Sequence, residues 1–263
     1  MWNIGFMAWR IGDILELYAQ IDWIRNAGFD AIGFHASPGI PNVWQGIDPA
    51  RTNSSERHYL RQKLSAFTSC EIHAPFDLIV KTGNLDTIIE RLSTIIEFAE
   101  DLEVSIITVH GELPSSSSDE FETWQTHLDK LDKLAREAGV KIGLELMQNF
   151  EYLNIPHRDN IGITLDVGHT YLNNGQGYRP YGTIGGLVRS LKETLVHVHL
   201  HDYDGINDHI EPGTGIIDFS DLILGLSAIN YKGFICLELN PDHVSPERIQ
   251  HSLEWIKQAI KVS

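Results

Sequence analysis

Basic side chains are scarce in this sequence, which has 20 lysines and arginines against 36 aspartates and glutamates and a formal net charge of −16. Contacts to nucleic-acid phosphates need clustered lysine and arginine, and no such cluster occurs, so nucleic-acid binding is disfavoured. The apolar runs, such as 104–109, fall far short of the roughly 20 residues that a membrane span needs. Because the N-terminal segment also lacks a secretory-signal pattern, we expect a soluble cytoplasmic protein without a membrane partner.

Cysteine and nucleotide-binding motifs are also nearly absent. The only cysteines are Cys70 and Cys236, and neither stands in a CxxC spacing, so we predict that both are reduced core residues. The "GTG" at 213–215 is part of neither a GxGxxG fingerprint nor a Walker motif with its lysine. The sequence therefore predicts no nucleotide cofactor.

Strand-like runs alternate with helical patterns along the 263 residues. This alternation favours parallel βαβ units. We predict eight strands, at 3–9, 31–36, 70–75, 106–111, 142–147, 162–168, 196–202 and 234–240. Eight strand and helix units in one chain of this length predict an α/β fold, a closed (β/α)8 TIM barrel, with an open doubly wound sheet as the alternative.

The fifth crossover of this barrel is abbreviated. The segment between residues 147 and 161 contains Pro156 and three asparagines and has room for about one helical turn. No composition shift marks a second domain, and the serine run at 115–118 is typical of a loop. We therefore predict a single domain over residues 1–263.

Metal-competent side chains occupy the C-terminal halves of six predicted strands: His73, His110, Glu145, Asp166, His199 and Glu238. These positions converge at the C-terminal mouth of a barrel, where barrel enzymes keep their chemistry. A buried carboxylate is costly unless it is paired or binds a cation. Each residue alone could be a satisfied core polar group, but together they predict a site for Mn²⁺, Zn²⁺ or Co²⁺. By contrast, we expect the helical histidines to lie on solvated faces: His58, His127 and His251.

Several motifs resemble those of the xylose isomerase-like barrel superfamily, which comprises sugar and sugar phosphate isomerases and epimerases together with endonuclease IV. The most specific are "LDVGH" at 165–169 and "HIEPGTG" at 209–215, and the series also includes "EIHAPF", "TVHGE", "GLEL", "HVHLHD" and "CLEL". The resemblance covers essentially the whole chain.

The resemblance implies one divalent ion held by Glu145, Asp166, His199 and Glu238, with the two glutamates also serving as catalytic acid and base. Other matching positions imply further metal ligands or substrate contacts: His73, His110, His169, His201 and His209. Position 207 is asparagine where endonuclease IV has a zinc-binding aspartate. We expect His197 to be a hydrogen-bonded core residue one layer deeper.

The leading functional prediction is a metal-dependent sugar or sugar phosphate isomerase or epimerase that transfers a proton through a metal-stabilised enediolate. Arg179 in "GYRPYG" is a candidate anion contact, with a plain surface arginine as the alternative. Three other classes stay open: an endonuclease IV-like phosphodiester hydrolase, a polyol dehydratase or lyase, and a barrel that only binds a sugar. The sequence leaves the oligomeric state open, with a homo-oligomer as one option.

Overall fold

The computed structural model describes residues 2–81, 85–114, 119–146, 155 and 157–262. The eight predicted strands are all present, with small shifts of their ends, and a two-residue strand joins them. In chain order the strands are β1 (Ile4–Ala8), β2 (Ala31–His35), β3 (Ser69–His73), β4 (Ile79–Val80), β5 (Ile106–Gly111), β6 (Lys141–Leu146), β7 (Ile161–Asp166), β8 (Leu195–Leu200) and β9 (Ile235–Leu237).

Eight of these strands form a closed ring. The pairing runs from β3 through β2, β1, β9, β8, β7 and β6 to β5, and β5 pairs again with β3. All of these pairs are parallel. The short β4 lies outside the ring and pairs with β5. The predicted (β/α)8 barrel is therefore confirmed, and the open-sheet alternative is wrong.

Helices surround the barrel, and all but the four-residue segment at 172–175 lie where the sequence shows helical periodicity. They are α1 (Leu17–Asn26), α2 (Ser54–Leu64), α3 (Leu85–Leu102), α4 (Asp119–Ala138), α5 (Leu172–Gly175), α6 (Ile184–Ser190), α7 (Phe219–Ala228) and α8 (Pro246–Val262). Local signals set their ends: Asn53 and Glu56 form a capping box at the start of α2. The predicted abbreviation of the fifth crossover falls mainly on residues 147–154 and 156, outside the described residues.

Helix α4 shows how an apolar stripe docks on the barrel and where one prediction fails. His127 is only 7% exposed and packs with the inward face of the helix. It follows Trp124 by three positions and precedes Leu131 by four, so it lies on the buried stripe despite its charged neighbours. The predicted solvated face is wrong for His127, whereas His58 and His251 are exposed as expected.

Both cysteines are free thiols. Cys236 is fully buried, as predicted, but Cys70 is only partly buried because it lies near the start of β3, before the strand enters the core.

Among the residues described above, none of the helices is both long enough and apolar enough to cross a membrane. The cytoplasmic location stays a prediction.

Candidate metal centre at the barrel mouth

Neighbouring strands deliver the four predicted ligands to one side of the mouth. Glu145 lies in β6, and Asp166 ends β7. Asp166 is the register partner of His199 in β8. Glu238 directly follows β9, where its backbone N–H donates to the Leu200 carbonyl at 3.1 Å. The parallel register therefore brings together side chains that are separated by up to about a third of the sequence.

These four residues each place one ligand atom in a group whose members lie within 4.8 Å of one another. His199 Nδ1 is 3.0 Å from Glu238 Oε2 and 3.8 Å from Glu145 Oε2. All four side chains are buried. Because ligands at about 2.0–2.3 Å from a first-row metal lie up to about 4.6 Å apart, this spacing fits a shared ion after small adjustments.

Unsatisfied atoms support the same interpretation. Within the described part of the chain, four buried atoms of this region have charged neighbours at 2.9–3.3 Å but no hydrogen bond of good geometry: Asp166 Oδ2, His169 Nδ1, His199 Nδ1 and His201 Nε2. Buried polar atoms are nearly always hydrogen-bonded, so several together need an explanation. Carboxylate oxygens and imidazole nitrogens are the donors that Mn²⁺, Zn²⁺ and Co²⁺ accept, so the residues fit such an ion.

A second group contains Asp166, His169, His201 and His209. His201 Nε2 lies 2.9 Å from Asp166 Oδ1, and His169 Nδ1 lies 3.3 Å from Asp166 Oδ2. His201 is completely buried and stacks on His209 with ring centroids 3.9 Å apart. Gly168 permits this packing, because a Cβ there would lie 1.9 Å from His201 Cε1. His209 itself adopts a left-handed backbone at φ 52°.

A third group contains His73, His110 and Glu145. His73 Nε2 lies 3.1 Å from Glu145 Oε2, and His110 Nε2 lies 3.7 Å from the same oxygen. Glu145 is therefore shared with the first group, as Asp166 is shared between the first and the second. The mouth thus holds contiguous ligand groups rather than isolated ones.

The charges in this cluster are mutually stabilised. Burial would raise the pKa of Glu145, but contacts with His169 and His73 hold it well below its usual value. Burial likewise opposes ionisation of Glu238, yet His199 lowers the pKa of Glu238 to about 2. Burial lowers the pKa of His169, but Asp166 and Glu145 raise this pKa to about 10. Both glutamates are consequently ionised at neutral pH and able to accept a proton.

Glu71 in β3 is a buried charged residue of this region that was not among the residues predicted from the sequence. It is fully buried and contacts both His197 and His199. The signal was present in "CEIHAP", because Glu71 and His73 are two positions apart and point to the same face of the strand. His197 hydrogen-bonds to Glu71 in the barrel interior, in agreement with the predicted core role.

An arc of aromatic and imidazole rings borders one side of the mouth. Its members lie with neighbouring centroids 5.1–6.1 Å apart, in the order His209, Trp9, His35, Trp44, Phe76 and His110. His35 was also missed by the sequence reading. It is fully buried, and in the described chain neither of its ring nitrogens has a hydrogen-bond partner. Burial, reinforced by His73, lowers the pKa of His35 to about 3, so the ring is neutral.

Asp202 anchors the loop that carries His209. Its two carboxylate oxygens accept four backbone hydrogen bonds at 2.8–3.2 Å, from the N–H groups of Tyr203, Gly213, Gly215 and Ile217. Asn207 is exposed in this loop, and its side chain donates to Asp204. The anchor therefore closes the loop at its base and leaves Asn207 outside the metal groups found in the described residues.

Arg179 begins a short 3₁₀ turn, Arg179–Tyr181. It is exposed, and it lines a cavity of about 250 Å³ together with Tyr171, Tyr178 and Tyr203. This exposure agrees with the alternative interpretation, a plain surface arginine. The anion-contact role stays a prediction, and the cavity beside Arg179 is where an anion would bind.

The model of the xylose isomerase-like TIM barrel family matches residues 21–259. An uncharacterised protein of Methanocaldococcus jannaschii is 28% identical over 192 residues, which are 64% of this chain and 63% of that protein. An inosose isomerase of Bacillus subtilis is 26% identical over 134 residues (43% of this chain, 44% of that protein). An inosose dehydratase of Lacticaseibacillus casei is 22% identical over 174 residues (56% of each). These matches span less than two thirds of each relative's length.

Solved structures resemble the whole barrel. A D-tagatose 3-epimerase-like protein superposes with a TM-score of 0.74 at 23% identity, covering 99% of this chain and 97% of the other. An IolI protein with a bound zinc atom gives a TM-score of 0.74 at 18% identity, covering 98% of each. At these identities the likeness shows a shared fold. Because the family model covers most of the sequence, the chain belongs to the xylose isomerase-like TIM barrel family.

Proposed function

We propose that this protein is a sugar isomerase or epimerase that depends on a divalent ion and transfers a proton next to a carbonyl group. The observation that carries the proposal is the group formed by Glu145, Asp166, His199 and Glu238, whose ligand atoms lie within 4.8 Å at the barrel mouth. The family membership and the relatives named for epimerisation or isomerisation support it. We propose Mn²⁺, Zn²⁺ or Co²⁺ as the ion.

The two glutamates are the proposed acid and base. They come from β6 and from the residue after β9, strands that are not neighbours in the ring, so they approach a substrate from different sides. Glu145 takes or returns the carbon-bound proton on one face, and Glu238 does so on the other. When bound, the ion supplies positive charge beside the carbonyl and hydroxyl oxygens, which favours an enediolate.

The remaining mouth residues are proposed to hold a small sugar. Imidazoles of the second and third groups, from His73, His110, His169, His201 and His209, offer hydrogen bonds to hydroxyl groups or ligands to a further ion. Trp44 and Phe76 of the arc present ring surface to the C–H face of a sugar. Arg179 is the proposed contact if the sugar carries a phosphate.

Elemental analysis and proton exchange test this proposal together. The protein is loaded with Mn²⁺, Zn²⁺ or Co²⁺ and incubated in D₂O with a panel of ketoses that includes D-tagatose and L-ribulose, with and without EDTA. We expect metal-dependent deuterium incorporation at a carbon next to the carbonyl. A protein that binds a divalent ion but exchanges no proton on any sugar of the panel contradicts the proposal and favours a sugar-binding barrel.

A second candidate is dehydration of a cyclic polyol by the same proton abstraction. The observation that favours it is the similarity to an inosose dehydratase, although that match spans only 56% of either protein. The two reactions differ in their products, because dehydration removes water after the proton leaves. Incubation with inosose in D₂O followed by mass spectrometry distinguishes them: loss of water indicates the dehydratase, and deuterium uptake without loss of water indicates the isomerase.

An endonuclease IV-like hydrolase is the less favoured alternative. The net charge of −16 opposes binding to a phosphate backbone. Asn207 also removes one carboxylate from the set that the endonuclease resemblance implies, and it lies exposed in its loop. Cleavage of an abasic duplex by the zinc-loaded protein is the result that would favour the nuclease.

A further inference from the structure

A fully buried polar network lies one layer below the metal groups, and Glu71 is its centre. Oε1 of Glu71 accepts a hydrogen bond from His199 Nε2 at 2.7 Å, and Oε2 accepts one from His197 Nε2 at 2.8 Å. The Thr108 hydroxyl donates to Oε1 as well. Glu71, Thr108, His197 and His199 are all 0% exposed. Three donors thus converge on one carboxylate, which is the environment of an ionised acid.

The network decides which nitrogen of His199 faces the mouth. A carboxylate only accepts hydrogen bonds, so Nε2 of His199 carries the proton and points inward to Glu71. Nδ1 is then the ring nitrogen left to bind an ion, and it lies 3.0 Å from Glu238 Oε2, at the edge of the proposed ion site. Metal-binding histidines commonly donate their second N–H to a carboxylate, which fixes the tautomer and makes the ring a stronger ligand.

His197 completes this arrangement and explains the alternation of imidazoles in "HVH". A buried carboxylate with one unsatisfied oxygen costs several kcal/mol. His197 supplies the donor for Oε2, so the whole of Oε1 is available to His199 and Thr108. The side chains at 197 and 199 point to the same face of β8 because they are two positions apart.

We propose that Glu71 is a positioning residue that holds His199 in the Nε2-protonated form, so that Nδ1 binds the divalent ion. This inference rests on the proposed function, since it needs the ion site at the mouth. It assigns Glu71 no contact with the substrate. Its effect should therefore appear in metal affinity and in the tautomer of His199.

The first experiment measures Zn²⁺ and Co²⁺ affinity by competition with a chelator at fixed pH. In Glu71→Gln the amide keeps the shape of the side chain but offers only one acceptor oxygen. We expect affinity to fall by about 10- to 100-fold, as for other outer partners of metal-binding histidines. The matched control is Thr164→Val, which removes a hydroxyl 2.9 Å from Thr108 Oγ1 in the same buried layer and leaves the three donors to Glu71 in place. Its affinity should stay within about twofold of wild type.

Equal affinities of Glu71→Gln and wild type would overturn the inference. A loss of equal size in Thr164→Val would overturn it too, because the layer would then act only through packing. If wild type binds no ion, both the proposed function and the role of Glu71 fail. If wild type binds an ion and Glu71→Gln binds it equally well, only the role of Glu71 fails.

A second experiment needs no variant. Nitrogen-detected NMR of histidine-labelled, Zn²⁺-loaded wild type should show His199 with its proton on Nε2 and the metal on Nδ1. The opposite tautomer would overturn the inference. Cys236 offers a further check, since it forms a potential ligand group with Glu71 and His197. A thiolate charge-transfer band in the Co²⁺-loaded protein would make Glu71 a metal ligand and overturn its positioning role.

Discussion

Replacing Glu238 by glutamine separates metal binding from proton transfer. The change keeps one oxygen for the ion and leaves Glu145, Asp166 and His199 in place. It removes a carboxylate that is ionised at neutral pH, because His199 lowers the pKa of Glu238 to about 2 against the effect of burial. A positioned acid or base contributes about 10²- to 10⁴-fold in rate, or about 2.7–5.4 kcal/mol. We expect turnover between epimers to fall by that factor while the ion stays bound at saturating concentration.

Deuterium exchange makes the same prediction specific to each glutamate. With Glu238→Gln, exchange should survive only for the epimer whose proton faces Glu145, and Glu145→Gln should show the opposite preference. The control is Glu211→Gln, a buried glutamate that pairs with Arg248 outside the metal groups, and it should exchange both epimers normally. Unchanged exchange of both epimers in the two active-site variants would refute the assigned roles.

Three further predictions follow from the geometry of the mouth. Metal affinity should rise about tenfold per pH unit as the pH increases through the neutral range toward the pKa of His199, because the protonated ring must lose one proton to bind the ion. Burial lowers the pKa of His199, but Glu71 and Glu238 raise it well above its usual value. An affinity that does not change with pH would contradict this. Saturating zinc should load more than one ion per chain through the Asp166, His169, His201 and His209 group; a ceiling of one ion by elemental analysis rejects a multinuclear centre. Gly168→Ala should cost about 1–3 kcal/mol in the free energy of unfolding, since its Cβ would lie 1.9 Å from His201 Cε1; a denaturation midpoint equal to that of wild type would show that the ring moves freely.

The barrel could be predicted from sequence because its signals are local. Strands buried on both faces appear in the sequence as short apolar runs, and the 3.6-residue apolar periodicity of "LDTIIERLSTIIEFAEDL" coincides with α3. The clustering of Glu145, Asp166, His199 and Glu238 follows from the same logic, since parallel strands present their C-terminal ends together. The two-residue β4 gives no such signal, because a strand that short has no periodicity.

The features that could not be predicted depend on how deeply a side chain is buried and on partners that are distant in the sequence. The charged neighbours of His127 suggest a solvated face. His127 is nevertheless buried, because it lies on the same side of α4 as Trp124 and Leu131. Glu71 does not stand at a strand end. His73 ends β3, and Glu71 lies two positions earlier, one layer deeper in the barrel. Its importance depends on His197 and His199, which lie more than a hundred positions away in the chain.

Because Asp202 fixes the base of the loop that carries His209, the exposed residues at 204–207 can be replaced without disturbing that base. Asp202 clamps the base of the loop through four backbone N–H groups, and His209 is fixed separately by donating its own N–H to His201 at 2.8 Å. The tip at 204–207 is exposed and includes Ile206, which is 87% exposed. Doubling the length of a flexible loop costs only about 0.6 kcal/mol. Libraries that vary or lengthen 204–207 should therefore retain the fold and the imidazole cluster, which makes this tip a suitable place to engineer new selectivity.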